Sequence, residues 1–337
     1  MKVFAWSIPA VLAGLAMSAT NACAAPTVKY FDVPGGSVES TKIDNAGEIS
    51  GAYLGSDGNV HGYRRTTDGT ITTFDAPGGA YTVPQDISKG VITGQYFSGR
   101  PDGLHGATGF ILPSNGPAIV FSVGSGGATY PQAINNGVVI GEYAATEKAT
   151  YLCCGFVRLS TGVVKHIRLS GSVQTEPMDI NSSGVITGCW SDEDTEHGFI
   201  RSADGAITSF DEPNGNWTVS SSIQADGIVA GTYLDDQNLA HGFIRSTSGA
   251  FTTVDVPDAR YTDIESINNN GWVAGIWSQN ADGGNGRGYV RKADGKIEKF
   301  SIEQATFTWL LSINSANVAV GFYVDQQNVG HGVIVTP

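Results

Sequence analysis

The chain has 337 residues and a formal net charge of −13 at pH 7. This acidity disfavours an unassisted nucleic-acid partner and an anionic membrane surface. The 45 glycines and 13 prolines follow no collagen-like period, so we expect short strands, tight turns and almost no helix.

The first 25 residues have the pattern of a secretory signal peptide. Met1-Lys2 is a charged start, Val3 to Met17 is mostly apolar, and small residues precede Pro26. After this leader, no apolar run reaches the ~20 residues of a membrane span. We therefore predict a signal peptide at residues 1–25 and a secreted or periplasmic mature protein.

The remaining chain repeats one pattern seven times. A strand ending in Ile is followed by a polar turn with Gly, by Gly-x-aromatic, by His-Gly-aromatic and by Phe-Asp-x-Pro. The anchoring isoleucines are Ile43, Ile87, Ile134, Ile180, Ile223, Ile267 and Ile313. Their spacing of 43 to 47 residues suits a four-stranded propeller blade. We predict one all-β domain, residues 26–337, a seven-bladed β-propeller of four-stranded antiparallel blades.

The first repeat shows the strands of one blade. The predicted strands, from the inner to the outer edge, are 40–43, 48–54, 61–67 and 70–74. Asp68-Gly69 is interpreted as a two-residue hairpin turn, because such turns need positive φ. This turn would place Tyr63 opposite Phe74 and Gly62 opposite Asp75, with the glycine leaving room for the Asp side chain.

The two ends of the chain complement each other. The seventh repeat stops at Pro337, before a fourth strand, whereas residues 27–34 have the form of a fourth strand with no blade before it. An N-terminal strand that completes the last blade would remove the open sheet edge. We therefore predict a ring closed by the N-terminal strand.

Three sets of residues recur at equivalent positions and are predicted to be structural. Large rings on the second strands are assigned to the contacts between blades: Tyr53, Tyr96, Tyr143, Trp190, Tyr233, Trp277 and Tyr323. Histidines that open third strands would lie too far apart in a ring to share a metal ion and are assigned to structural hydrogen bonds: His61, His197, His241 and His331. Arginines four residues further on are assigned to blade structure or solvation: Arg65, Arg158, Arg201, Arg245 and Arg291.

The repeated pattern resembles the HAF-type extracellular repeats of exported bacterial proteins. The resemblance rests on Ile-Asn-x-x-Gly, Gly-x-Tyr, His-Gly-Phe and Phe-Asp-x-Pro-Gly, and it covers essentially all the mature chain. This chain has Gly at the middle position of the name-giving triplet, as in His197-Gly198-Phe199. The resemblance implies an extracellular repeat protein and carries no general activity or catalytic set.

Aromatic residues just before the inner strands are the candidate ligand contacts. They could edge the central opening, where ring faces stack on sugars, or they could cover the junctions between blades. Arg260 joins them because it breaks the sevenfold pattern beside Tyr261. The candidate ligand-binding residues are Tyr81, Tyr130, Trp217, Arg260, Tyr261, Phe307 and Trp309.

The cysteines and acidic loops leave alternatives open. Cys189 could form a disulfide with Cys153 or Cys154, or all three could be buried thiols. No Cys or His spacing supports a metal site, and we predict no cofactor. Calcium is conceivable at the acidic loops, but their spacing matches no complete calcium loop, and solvated carboxylates are the alternative. These carboxylates are Asp57, Asp102, Asp192, Glu193, Asp194, Asp235, Asp236, Asp282 and Asp325.

These observations favour a monomeric, exported binding or scaffold module for an extracellular glycan or protein. No catalytic residues are assigned, because no spacing requires a nucleophile-and-base or two-carboxylate site. The alternative is a polysaccharide lyase or glycoside hydrolase with its site at the central mouth, since propellers host many functions. A His or Tyr, an Arg and a carboxylate meeting at the mouth would favour the enzyme.

Overall fold

We analysed a computed structural model of the chain, which describes residues 26–101, 106–125, 127–146 and 152–336. These residues form 29 β-strands and no helix. Within the described ranges, no helix has the length and apolar character needed to cross a bilayer. The predicted signal peptide lies outside the described residues, as does Asp102.

The strands fall into seven successive blades of four strands, in which the inner strand of blade one is interrupted and counted as two strands that pair with the same neighbour. The N-terminal strand and blades one and two are β1 (Thr27–Phe31); β2 (Gly36–Val38), β3 (Lys42–Ile43), β4 (Ile49–Gly55), β5 (Val60–Arg65), β6 (Ile71–Phe74); and β7 (Tyr81–Ser88), β8 (Val91–Phe97), β9 (Thr108–Leu112), β10 (Ile119–Phe121). Blades three and four are β11 (Thr129–Asn135), β12 (Val138–Tyr143), β13 (Cys154–Arg158), β14 (Val164–Ile167); and β15 (Gln174–Ile180), β16 (Ile186–Ser191), β17 (Glu196–Arg201), β18 (Ile207–Phe210). Blades five to seven are β19 (Trp217–Ile223), β20 (Val229–Leu234), β21 (Ala240–Arg245), β22 (Phe251–Val254); β23 (Tyr261–Ile267), β24 (Val273–Ser278), β25 (Arg287–Arg291), β26 (Ile297–Phe300); and β27 (Phe307–Ile313), β28 (Ala319–Val324), β29 (Gly330–Thr336).

The N-terminal strand completes the last blade. Strand β1 pairs antiparallel with β29, with Tyr30 opposite Val333, and the sheet order is β1-β29-β28-β27. Blade seven also bonds to blade one, since Lys42 Nζ donates to Leu311 O at 3.1 Å and Asn314 Nδ2 to Asp44 O at 3.1 Å. The all-β, seven-bladed propeller with a strand-closed ring is therefore confirmed.

The outer hairpin has a three-residue loop, so the predicted register was wrong by one residue. Arg65 pairs with Ile71, and the backbone N–H of Thr66 donates to Thr70 O. Gly69 has a φ of 95°, as expected for a type I turn that ends in a glycine bulge. Phe74 consequently lies opposite Gly62, and Tyr63 lies opposite Thr73.

Gly62 makes room for a phenylalanine ring rather than for an aspartate. A Cβ at Gly62 would stand 2.6 Å from the Phe74 ring. That ring meets Phe110 of the next blade edge-on, with centroids 6.2 Å apart. Third-strand rings form the blade core and have no exposed surface: Tyr63, Phe110, Phe156, Phe199, Phe243 and Tyr289.

The second-strand rings contribute less to the core than we predicted. Only Tyr53, Tyr143 and Tyr233 are buried, and the other four keep partial exposure. Several stack on the recurrent histidines, as Trp190 does on His197 at 4.4 Å between centroids. The arginine prediction is confirmed where a guanidinium covers a ring of the preceding blade, as Arg245 covers Phe210 at 4.7 Å.

The glycine of Gly-x-aromatic permits a bulge in each inner strand. In blade five, a Cβ at Gly231 would stand 2.0 Å from Val219 O, directly before the bulge between Ser220 and Ser222. The equivalent Gly188 faces Glu176 O at the same distance. Because bulges redirect a strand, this glycine helps to set which side chains reach the axis.

Candidate functional site

The inner strands line the propeller axis with every second residue. In β19, Thr218 and Ser220 are buried, whereas Trp217, Val219 and Ser221 are partly exposed. Successive side chains of a strand point to opposite faces, so the partly exposed set is the one directed to the axis. The other inner strands from β7 to β27 alternate in the same way.

The axis-facing residues form three tiers, six, four and two residues before the anchoring isoleucine. In blades two to seven, the upper tier contains Tyr81, Gln174, Trp217, Tyr261 and Phe307; the middle tier Val83, Tyr130, Glu176, Val219, Asp263 and Trp309; and the lower tier Gln85, Gln132, Met178, Ser221, Glu265 and Leu311. In blade one, whose inner strand is interrupted between β2 and β3, these positions hold Ser37, Glu39 and Thr41. All six predicted rings therefore lie on two adjacent tiers. Arg260 is exposed in the loop before β23, where its N–H donates to Ser278 O.

Some of these rings also cover a blade junction, as the alternative reading expected. Tyr81 Oη donates to Gly58 O of the preceding blade at 3.2 Å, and Tyr130 packs edge-on against Phe97 at 6.2 Å. Trp309 and Phe307 lie in one blade with their centroids 5.5 Å apart. The two roles are compatible, because each of these rings keeps partial exposure.

Rings on blades six and seven are hydrogen-bonded to carboxylates. Trp309 Nε1 donates to Glu265 Oε1 at 2.7 Å, and Tyr261 Oη donates to Asp263 Oδ2 at 3.2 Å. Burial raises the pKa of Asp263, and burial with the nearby Asp263 charge raises the pKa of Glu265 to about 7, although Lys42 opposes this. These bonds hold the rings in place and set a carboxylate beside each one.

Blades three and four contribute an acidic and amide-rich side of the axis. Glu142 accepts from Gln132 Nε2 at 3.2 Å and from Gln174 Nε2 at 3.1 Å. Burial and the charges of Glu142 and Glu196 raise the pKa of Glu176 to about 8. Glu176 therefore carries its proton at neutral pH and can donate a hydrogen bond. Sequence reasoning missed the group formed by Gln132, Glu142, Gln174 and Glu176, because its members come from three different strands.

The cysteines differ from the predicted bridge. Cys153 and Cys154 are bonded to each other, and Cys189 is a buried free thiol. Cys189 lies opposite Glu176 in the sheet and hydrogen-bonds to its carboxyl group. Its side chain is therefore part of the acidic side of the axis rather than of a link between blades.

A polar cavity of about 400 Å³ lies at the other end of the axis. One segment from each blade lines it: residues 42–46, 86–89, 132–136, 178–182, 221–225, 265–269 and 312–315. None of the seven predicted ligand-binding residues is in this lining. The cavity shares Gln132, Met178, Ser221 and Glu265 with the lower tier, and Glu265 accepts the hydrogen bond of Trp309.

Hydrogen bonds between blades account for two aspartates of this cavity, Asp86 and Asp179. The residue directly before an anchoring isoleucine can accept a hydrogen bond from the backbone N–H of the anchoring isoleucine in the next blade, as Asp179 Oδ2 accepts from Ile223 at 2.9 Å. Blades one and three have Lys42 and Ala133 at this position, and their side chains cannot accept a hydrogen bond. In the blades that follow them, Asp86 and Asp179 each use a second oxygen to bind their own Ile amide, at 2.8 and 2.7 Å.

The recurrent histidines lie outside the axis and hold strands together, as predicted. His241 Nδ1 is 2.7 Å from Asp255 Oδ1, and Nε2 is 3.3 Å from Asp235 Oδ2. We call this contact the histidine clasp, and it recurs at His61, His197 and His331. Four of the loop carboxylates considered for calcium are thus engaged with histidines. Within the described ranges, no cluster of three metal-binding side chains occurs.

Comparisons with known proteins identify the fold alone. No protein-family model and no curated protein matches the sequence. A virginiamycin B lyase from Staphylococcus aureus matches with a TM-score of 0.54 and 14% identity, over 93% of this chain and 99% of the lyase. The BP39L lectin from Burkholderia pseudomallei matches with a TM-score of 0.55 and 9% identity, over 91% and 97%.

A puromycin hydrolase gives a TM-score of 0.59 at 13% identity. The match covers 89% of this chain, which spans about half of that enzyme, 53% of its length. The solved structures that resemble this chain thus carry different activities on one architecture. The chain has a β-propeller fold, and its function must be argued from its own axis.

Proposed function

We propose that this protein is an exported β-propeller that binds an extracellular glycan at the upper and middle tiers. The observation that carries the proposal is the set of partly exposed rings on blades five to seven, two of which are held by bonds to carboxylates. Trp309 on β27 is bonded to Glu265 on β23 of the neighbouring blade, and Tyr261 is bonded to Asp263 two residues further along β23. Sugar-binding sites combine flat aromatic faces with a few fixed polar groups.

The opposite side of the axis supplies the polar part. Glu142 is held by Gln132 and Gln174, and these planar groups can exchange hydrogen bonds with sugar hydroxyls. Stacking on one side and hydrogen bonding on the other would orient a sugar chain across the mouth. An extracellular protein is the other partner that the sequence suggested, and a glycan fits the ring-and-amide arrangement better.

Export is the second part of the proposal. It is supported by the signal-peptide pattern of residues 1–25 and by the resemblance to HAF-type extracellular repeats. Expression of the full chain with its leader, followed by fractionation, tests it. We expect the mature protein in the medium or periplasm with Pro26 near its new N-terminus, and retention of the leader in the cytoplasm would overturn this part.

A glycan array with the purified mature protein tests the binding site. Trp217→Ala and Tyr261→Ala should each weaken any detected glycan by at least about tenfold, or ~1.4 kcal/mol. Tyr30→Ala is the matched control, because Tyr30 is 54% exposed on the outermost strand β1. Unchanged affinity in both axis variants, or an equal loss in the control, would overturn the proposed site.

One observation favours the enzymatic alternative, a glycoside hydrolase. Glu176 is protonated near neutral pH beside Glu142 and Glu196, and a proton donor next to further carboxyl groups suits glycosidic cleavage. Release of reducing ends from a bound glycan, lost in Glu176→Gln while binding persists, would support it. A polysaccharide lyase would require an Arg close to a Tyr and a carboxylate. The appearance of unsaturated uronate products would reveal that activity.

A further inference from the structure

We propose, on the basis of the glycan site above, that the bound glycan carries free amino groups, as glucosamine-type sugars do. The carboxylates beside the rings would bind its ammonium groups. This goes beyond glycan binding, because it assigns a charge to the ligand. It also predicts that cationic glycans bind more tightly than neutral, acetylated or uronic-acid-containing glycans.

The first argument is the pairing of rings with carboxylates. The Trp309 ring is bonded to Glu265 and the Tyr261 ring to Asp263, so each stacking surface has a carboxyl group at its edge that an ammonium group could ionise. A ring face attracts a cation through its quadrupole, and a carboxylate attracts it through charge. A neutral sugar would use only the apolar surface of the ring.

The second argument is charge balance. Within the three tiers, the described residues include Glu176, Asp263 and Glu265 and no basic side chain. Lys42, whose charge opposes the raised pKa of Glu265, lies one residue before its anchoring isoleucine and donates to Leu311 O at 3.1 Å. The axis therefore holds more carboxyl groups than its own cation can pair with, and a ligand ammonium group would favour their ionised form.

The third argument is an acceptor without a donor. Gln95 is 5% exposed, and its Oε1 has no hydrogen-bond partner. It lies opposite Val83, at the position where blades three and five carry Glu142 and Thr232. Those two side chains bond to Gln174 and Asp263, axis-facing residues of the next blade. Gln95 is therefore placed beside the middle tier of blade three, with a buried carbonyl oxygen that a ligand ammonium or hydroxyl group would satisfy if the amide turned toward the axis.

The inference predicts that ligand binding releases protons, and the number of protons released can be measured. Glu176 faces Glu142, Glu196 and Cys189, and its pKa is raised by burial and by these negative neighbours. An ammonium group favours the ionised carboxyl, so an amino sugar should expel protons from the site. A neutral sugar that displaces water from the same carboxyl groups favours their protonated form, so its binding should release no protons.

Titration calorimetry of the mature protein tests this with three probes: a glucosamine hexamer, an N-acetylglucosamine hexamer and cellohexaose. Two buffers of different ionisation enthalpy, at about pH 5.5 where sugar amines are charged, give the number of protons released. We expect the glucosamine hexamer to bind at least about tenfold more tightly than the others, with proton release and weakening by salt.

Charge-neutral variants locate the effect. Glu176→Gln and Glu265→Gln should reduce the preference for the amino sugar, and Glu176→Gln should also reduce proton release. Asp68→Asn, in the β5–β6 hairpin away from the axis, is the control that should change neither. Thermal unfolding of each variant verifies that it folds.

The outcomes separate this inference from the proposed function. If neutral or acetylated oligomers bind as tightly as the glucosamine hexamer, or if binding takes up protons, the charge assignment is overturned and glycan binding stands. If no glycan of any class binds, both fall.

Discussion

The two faces of the inner strands differ in how strictly they repeat. On the buried face, threonine occurs five residues before the anchoring isoleucine in six blades: Thr82, Thr129, Thr175, Thr218, Thr262 and Thr308. On the axis face, the adjacent upper tier changes from Tyr81 to Gln174 to Trp217. One face thus meets the same demand in each blade, and the other is free to differ.

The repeated threonine ties the incoming loop to the inner strand. Thr218 Oγ1 accepts from the backbone N–H of Glu212 at 3.1 Å, and Thr262 Oγ1 accepts from Val256 at 3.2 Å. The same bond joins Ala76 to Thr82 and Val123 to Thr129, so it is made in four of the six blades that carry the threonine. Closure of the ring therefore accounts for the repetition, whereas asymmetric recognition accounts for the variation at the axis.

The largest predicted effect comes from the repeated glycine. Gly231→Ala should destabilise the protein by about 3 kcal/mol, because the new Cβ would press on a backbone oxygen that cannot move without the whole strand. Chemical denaturation measures this. Gly99→Ala is the control, since nothing lies within 4 Å of its added Cβ, and equal losses in both variants would mean that the bulge is not the cause.

Glu176 on the axis should make stability depend on pH. Its pKa is raised to about 8, so the folded state holds its proton more tightly than the unfolded state does. The stability that this adds is complete below the ordinary pKa near 4.5 and is lost as pH rises through 8. We expect a loss of roughly 1 kcal/mol per pH unit across that window.

Glu176→Gln should reduce that slope, because an amide has no proton to lose, while Glu265 and Asp86, whose pKa values are raised to about 7, keep part of it. The difference between the denaturation midpoints near pH 5.5 and 7.5 should be smaller in the variant than in the wild type. Glu193→Gln, at an exposed loop residue, should keep the wild-type slope. An identical pH dependence in wild type and Glu176→Gln would refute the assignment of the proton to this carboxyl group.

A threonine pair on the buried face gives a smaller and very specific effect. Thr218→Val should cost about 1–2 kcal/mol, because it leaves the buried N–H of Glu212 without an acceptor. Thr308→Val makes the same change in blade seven, where the hydroxyl has no partner, and should cost almost nothing. Equal costs for the two would show that the threonine acts through its shape alone.

The smallest predicted effect concerns the histidine clasp. Burial alone would lower the pKa of His241, but its bonds to Asp255 and Asp235 raise it above the ordinary 6.5. The stabilisation is therefore complete below pH 6.5 and is lost as pH rises through the raised pKa. His241→Gln should cost about 1 kcal/mol near pH 5.5 and less near pH 8.5. His166→Gln, at an exposed residue, is the control and should show no such dependence.

Sequence repetition predicted what the blades share. The number of blades, the closing strand and the structural role of the histidines follow from equivalent positions. The clasp could have been predicted in detail, because Asp follows the last residue of the outer strand only in the four units that have the histidine. In the units with Thr108, Cys154 or Arg287, the matching positions are Ser122, Arg168 and Ser301.

Sequence reasoning failed where two geometries share the same residues. Asp68-Gly69 suits both a two-residue turn and a three-residue loop with a glycine bulge, and the choice shifts every cross-strand pair by one. The ring positions at the axis were accessible from strand alternation. Their carboxylate partners were not, because Trp309 and Glu265 meet only after two blades pack together.

The most direct test of the account combines the three rings of the axis face. A variant carrying Trp217→Ala, Tyr261→Ala and Trp309→Ala should still unfold in one cooperative transition, since the buried face is untouched. Its affinity for the tightest glycan of the array should fall by about a hundredfold, or ~2.7 kcal/mol. Wild-type affinity in this folded variant would contradict the claim that the variable face of the inner strands is the binding surface.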